Sequence, residues 1–225
     1  LYCFIKGVSA TLFVFSDAKS GDFLKFARKI KANLRRLKVI RPHLINNMNR
    51  KLKLWELDRL SEEEFRMQPK FPLIVVLDGI RSLNNIGSFF RTADAFNVEK
   101  IYLCGITAQP PHRDIQKTAL GATETVEWEY RSSIVELTQE LKSQGVVICA
   151  VEQAEKTTLL HQTGNLQGEK FALVFGNEVD GVDQNVVDLA DHIIEVPQFG
   201  TKHSLNVAVC AGVVLWEFSK NYIVD

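Results

Sequence analysis

The chain has 225 residues, 46% of them apolar, and its 27 Lys and Arg balance 27 Asp and Glu, so net charge singles out no partner. That length accommodates one sizeable α/β domain and a small appendage. The four cysteines (Cys3, Cys104, Cys149, Cys210) are far apart with no CxxC pair, which excludes a disulfide framework and a zinc site and fits a reducing compartment.

The charge is unevenly placed. Residues 1–70 carry 16 Lys/Arg and 7 Asp/Glu, whereas residues 71–225 carry 11 and 20. No acidic residue interrupts the stretch between Asp22 and Glu56, which includes Arg28, Lys29, Arg35, Arg36 and Arg41. A basic segment joined to an acidic body suggests a polyanion-binding arm; a solvated helix face is the plainer alternative.

The opening LYCFIKGVSATLFVF is apolar like the core of a signal peptide. Lys6 interrupts it, no A-x-A site follows, and it is too short to span a bilayer. The first residue is not Met, which reads as a processed or truncated start, and the chain is expected to be soluble and cytoplasmic. From Phe23 to Leu60 apolar residues recur at helical spacing, with Arg41-Pro42 separating two helices. Ser61-Glu62-Glu63-Glu64 predicts an N-cap with an acidic first turn, and residues 68–72 (QPKFP) a linker. The boundary between a basic, mainly helical region (1–70) and a second domain (71–225) is placed there.

Beyond it, residues 73–77 (LIVVL) form a continuous apolar run, the mark of a strand buried on both faces. Similar runs follow at 101–104, 146–151, 172–175 and 193–196, separated by helical patterns at 86–96, 132–144, 183–190 and 204–219. This alternation predicts an α/β domain with a mainly parallel sheet and helices on both faces.

Three strands run into glycine: Gly105, Gly176 and, after Val196-Pro197, Gly200. Ligands of open α/β sheets bind outside the carboxyl ends of the strands, so these glycines point to a shared crevice. No GxGxxG follows a strand, GNLQGEK (164–170) departs from a phosphate loop in spacing, and the five histidines show no metal-ligand spacing. No metal is expected.

Polar residues near the strand ends are individually weak signals. Asn85 and Arg91 read equally as a helix-capping Asn and a surface Arg, Asn177-Glu178 as a capped turn, and Ser204 as the N-cap of the last helix. Together, however, NNIGSFFRTADAF (84–96), LVFGNEVDGV (173–182) and EVPQFGTKHSLNVAVCAGVVLWEF (195–218) resemble, in order and spacing, the three motifs of the SpoU (TrmH-like) branch of the SPOUT RNA methyltransferases. The resemblance covers most of residues 73–218.

What it implies is specific. Such proteins tie the C-terminal part of the sheet in a trefoil knot, usually act as homodimers, and transfer a methyl group from S-adenosylmethionine to a ribose 2′-hydroxyl of structured tRNA or rRNA. By matching position, cofactor contacts fall on Leu103, Gly105, Phe175, Gly176, Val196, Ser204 and Leu205. Catalytic roles fall on Asn85, Arg91, Glu178, Ser204 and Asn206. In such enzymes the motif-one Arg is often viewed as a general base; a guanidinium is a poor one near neutrality, and a fixed cation stabilising the emerging oxyanion is equally physical. The basic segment then gains a purpose as an RNA-docking arm. Three rival readings remain: a catalytically idle RNA-binding protein, a methyltransferase of RNA bases and, more distantly, a nicotinamide-dependent oxidoreductase.

Overall fold

The computed structural model describes residues 50–223, in two units that divide between Leu57 and Asp58. The helix expected to begin at Phe23 and the cations Arg28, Lys29, Arg35, Arg36 and Arg41 lie outside the described residues. Of the first unit, residues 50–57 are described. The helical spacing read up to Leu60 does not produce an α-helix there but a single 3₁₀ turn, Leu54–Glu56. Glu56 closes it: its carboxylate accepts the Lys53 amide (2.8 Å) and the Arg50 guanidinium (2.9 and 2.7 Å).

The second unit opens with α1 (Glu62–Met67), started by the expected cap. Ser61 accepts the Glu64 amide while Glu64 reaches back to the Ser61 amide, a reciprocal box that satisfies two orphan donors. Seven strands follow: β1 (Phe71–Asp78), β2 (Val98–Cys104), β3 (Glu127–Arg131), β4 (Val147–Val151), β5 (Thr158–Leu159), β6 (Phe171–Gly176) and β7 (His192–Glu195). They form one sheet in the order β3-β2-β1-β6-β4-β7-β5, and every pairing is parallel. The remaining helices are α2 (Leu83–Ala95), α3 (Arg113–Ala119), α4 (Ala122–Thr125), α5 (Ile134–Ser143), α6 (Gln184–Leu189) and α7 (Val207–Ser219).

Burial on both faces explains the unbroken apolar runs. In β1, Leu73, Val75 and Leu77 pack with Ile86, Phe89 and Phe90 of α2 and with Ala211, Val214 and Leu215 of α7. The alternate residues Ile74 and Val76 pack with Ile134, Leu137 and Leu141 of α5 and Val186 of α6. The expected α/β architecture, a parallel sheet covered on both sides, is the one observed. Four elements were not expected. β3 is an edge strand with exposed Glu127 and Tyr130, β5 has two residues, and α3 and α4 are short with two buried residues each. None of them carries the long apolar run or repeated period that marks the others.

Candidate active site

Strand order reverses between β1 and β6, and that is where polar groups converge. After β1 the chain turns through Gly79 (φ 62°) into α2, whose N-cap is Ser82, not Asn85. Ser82 takes the Asn85 amide (3.3 Å), and the Asn85 side chain is free to face the neighbouring strand end. After β6 the segment Asn177–Gly181 folds on itself: the two residues exchange backbone hydrogen bonds, and Asn177 Oδ1 accepts the amides of Val179 and Asp180. This turn presents Glu178 to Asn85, whose Nδ2 donates to Glu178 Oε1 at 2.6 Å.

The last helix completes the chain. Its N-cap is Asn206 and not Ser204: Asn206 Oδ1 accepts the amides of Ala208 and Val209. With its oxygen so committed, Asn206 can offer only Nδ2 outward, and that group donates to Asn85 Oδ1 at 3.2 Å. Asn85 must then turn its own Nδ2 to the carboxylate. The direction of every bond, from the amino end of α7 through Asn206 and Asn85 to Glu178, follows from the cap.

Beside this chain lies a cavity of about 490 Å³ at the carboxyl ends of β4, β6 and β7. Val151, Phe175, Ile194, Val196 and Leu205 supply apolar surface; Gln153, Asn177, Glu178, His203, Ser204 and Asn206 supply polar groups. Two adjacent side chains at the end of β4 brace it. Glu152 Oε2 accepts the Val182 amide (3.1 Å), and Gln153 Nε2 donates to the His203 carbonyl (3.1 Å), tying both flanking loops to the sheet. Its size and mixed lining suit a nucleoside-sized ligand. Among the described residues no group of His, Cys, Asp and Glu has the arrangement of a metal site.

Of the expected cofactor contacts, Phe175, Gly176, Val196, Ser204 and Leu205 line this cavity. Leu103 and Gly105 do not: they belong to β2 and the turn after it, separated from β6 by β1, and Leu103 is fully buried in the sheet. Of the strand-end glycines, Gly176 lines the cavity, and Gly105 and Gly200 do not. A Cβ on Gly176 would lie 1.9 Å from the Gly181 carbonyl carbon, so this glycine admits its own loop; Gly105 is held at φ 60°, and Gly200 has neither constraint. Val151, Glu152 and Gln153 also line the cavity without a sequence signal, because no glycine marks the end of β4. Arg91 is exposed on α2, six residues past Asn85, with no carboxylate partner among the described residues.

Burial sets the charge states around the cavity. Cys210, on its wall, is pushed up to about 11 by burial, so it stays a thiol near neutrality. Cys104 and Cys149 are likewise raised by burial, to about 12. Asp78, at the end of β1, accepts the Asp183 amide (2.8 Å); burial raises its carboxyl above the usual range and this hydrogen bond offsets part of the rise.

The model of the SpoU rRNA Methylase family matches residues 72–216. A 23S rRNA (guanosine-2′-O-)-methyltransferase RlmB from Neisseria meningitidis is 35% identical over 146 residues, 65% of this chain, and the chain spans 57% of that relative's length. The crystal structure of the A. aeolicus TrmH/SpoU tRNA modifying enzyme is 26% identical with a TM-score of 0.63, over 71% of this chain and 79% of that one. The AdoMet-bound rRNA methyltransferase from Sinorhizobium meliloti, at 23% identity, shares the fold with a TM-score of 0.63 over 72% of this chain and 61% of its own. Motif segments, sheet order and family match agree, and the chain belongs to the SpoU rRNA methylase family.

Proposed function

We propose that this protein transfers a methyl group from S-adenosylmethionine to a ribose 2′-hydroxyl of structured RNA. The observation that carries the reading is the polarised chain Asn206–Asn85–Glu178 at the rim of a nucleoside-sized cavity. Idle RNA binding would give no reason to hold a carboxylate there by a directed pair of amides. The relatives' names favour ribose over base as the methylated group.

The cavity fits the cofactor: Phe175, Val196 and Leu205 offer apolar contact, and the exposed Ser204 with the Gly176 backbone at its wall offers polar contact, without a cationic clamp. When bound, S-adenosylmethionine supplies an electrophilic methyl group. The chain's own residues must then orient the ribose and remove one proton as the C–O bond forms and the C–S bond breaks. Glu178 has Oε1 engaged by Asn85, which leaves its second oxygen to take the hydroxyl proton. Arg91 stays a fixed cation that anchors the adjoining phosphate and stabilises the emerging oxyanion. Ser204 completes the ribose contacts. Positioning of this kind is worth roughly 7–11 kcal/mol for a well-aligned pair.

Residues 1–70 act as the basic RNA-docking region and residues 71–225 as the methyltransferase domain. The C-terminal part from β6 to α7 carries the family's trefoil knot, a reading supported by the hydrogen bonds that tie Val182 and His203 to Glu152 and Gln153 just past β4. The protein acts as a homodimer in the cytoplasm. Among the described residues no helix is long and apolar enough to cross a membrane.

The test is Arg91→Ala. Methyl transfer to RNA should fall by at least about 100-fold, as when a charge-stabilising donor is removed, while S-adenosylmethionine affinity by calorimetry stays within about twofold. Loss of cofactor affinity in step with turnover would overturn the assignment.

A further inference from the structure

Residues 71–225 hold eleven Lys and Arg among twenty acidic residues, and the cations divide into two groups. Arg81, Lys100, Arg131, Lys142, Lys170 and Lys220 are each tied to a carboxylate. Arg91, Arg113, Lys117, Lys156 and Lys202 are exposed, and none has a carboxylate partner among the described residues. In so acidic a body, a cation left unpaired keeps its charge available to an outside anion. Lys156 lies on the loop between β4 and β5 and Lys202 on the loop between β7 and α7, at the carboxyl edge that carries the candidate active site, and Arg91, Arg113 and Lys117 lie on helices α2 and α3.

Placement sharpens the pattern. Helices α2 and α3 pack closely: Thr118 Oγ1 donates to the Asn84 carbonyl (3.0 Å), and Gly87 packs on the Ile115 backbone. Lys117, next to Thr118, therefore sits near the first turn of α2, and Arg113 lies one turn away along the same face of α3. At the cavity itself, Lys202 follows Gln198 and precedes His203, both of which line it. Between them Phe199 is 97% exposed. A fully solvated aromatic ring has no folding role, yet it is the group that stacks an unpaired base.

We propose that the carboxyl edge forms a single-stranded RNA track in which Arg113, Lys117 and Lys202 bind phosphates and Phe199 stacks the base next to the modified nucleotide. The inference rests on the proposed function for the identity of the polyanion. It adds a docking surface on the body itself, apart from the basic segment at residues 25–53.

Two signatures separate these contacts. Each phosphate contact contributes about 0.7 to the slope of log affinity against log salt for a single strand. The full-length triple variant Arg113→Gln/Lys117→Gln/Lys202→Gln should therefore lower that slope by about 2, measured by fluorescence anisotropy with a labelled single-stranded oligoribonucleotide. Phe199→Ala should weaken binding by about 5- to 150-fold at every salt concentration, leaving the slope unchanged. The paired-cation control Lys142→Gln/Lys220→Gln should change neither quantity, and S-adenosylmethionine affinity should hold in all variants. A slope unchanged in the triple variant, or reduced as much in the control, overturns the track. So does Phe199-dependent binding to anionic phosphatidylserine vesicles with RNA binding intact. Failure of the proposed function looks different: wild-type protein would bind the track normally yet release no methyl group to RNA.

Discussion

Asn206 has two duties, and they can be separated. It caps α7 with Oδ1 and orients Asn85 with Nδ2. Asn206→Ala removes both, and loss of a cap alone should cost about 1 kcal/mol. Asn206→Asp keeps the cap, and its charge suits the helix amino end. It also puts an oxygen against Asn85 Oδ1, which forces Asn85 to turn and face Glu178 with its own oxygen. We expect Asn206→Asp to melt no lower than wild type while single-turnover methyl transfer falls at least about tenfold, since a charge-assisted hydrogen bond is worth roughly 1.5–3 kcal/mol. Full activity in that variant would refute the directed chain. Asp78 offers a pH test. Because its folded-state pKa is raised, first by burial, its contribution is present at acid pH and is lost as pH rises through that value. Asp78→Asn keeps an oxygen for the Asp183 amide and removes the buried charge. The melting temperature of the variant relative to wild type should climb between about pH 4 and pH 7; a difference flat across that range would show that ionisation of Asp78 does not bear on stability. At this scale the sequence was informative where a motif named the residue. Asn85, Glu178 and Asn206 are joined in space, whereas the partner of each amide, fixed by caps at Ser82 and Asn206, had no sequence signal strong enough to separate it from Asn85 and Ser204.

Among the elements, α2 and α3 approach each other closely at Gly87. A Cβ at Gly87 would lie 2.3 Å from the Ile115 carbonyl oxygen and 2.1 Å from Thr118 Oγ1. Helix propensity alone would make Gly87→Ala stabilising by about 1 kcal/mol. Overpacking against backbone should win, since the hydroxyl can rotate away and the carbonyl cannot, for a net loss of about 1–3 kcal/mol in urea unfolding. A gain would mean that α3 is loosely seated. The result matters for function because α3 is placed beside the first turn of α2. Long strands and helices were readable because two-sided burial writes unbroken apolar runs (β1, β4, β6) or a helical period (α2, α5). Edge strand β3 alternates charged and aromatic residues, and α3 buries two of its seven residues. Their stability comes from neighbours, which local pattern does not record.

For the whole molecule, α7 poses the remaining question. It is apolar nearly all round, but only Ala211, Val214, Leu215, Phe218 and Ser219 are buried. Val209, Val213 and Trp216 are 56%, 42% and 54% exposed, at i, i+4 and i+7 along one stripe, with Gly212 between them. Sequence periodicity could not divide this helix into core and surface, because both faces are equally apolar; the sheet divides it. A helix of this kind normally has cover on every side, and the homodimer proposed above supplies it. Trp216→Asp should then convert the dimer to monomer in analytical ultracentrifugation while methyl-donor affinity per chain shows whether the cavity survives alone. Gly212→Ala gives the independent measure. Outside its own helix, no atom of the described residues lies within 4 Å of a Cβ there, so in a monomer the variant gains about 0.5–1 kcal/mol from helix propensity. If a partner helix packs on the stripe, the added methyl must push it away, and dimer dissociation should become easier as the monomer grows more stable. A variant that is both more stable and equally dimeric would move the interface off α7.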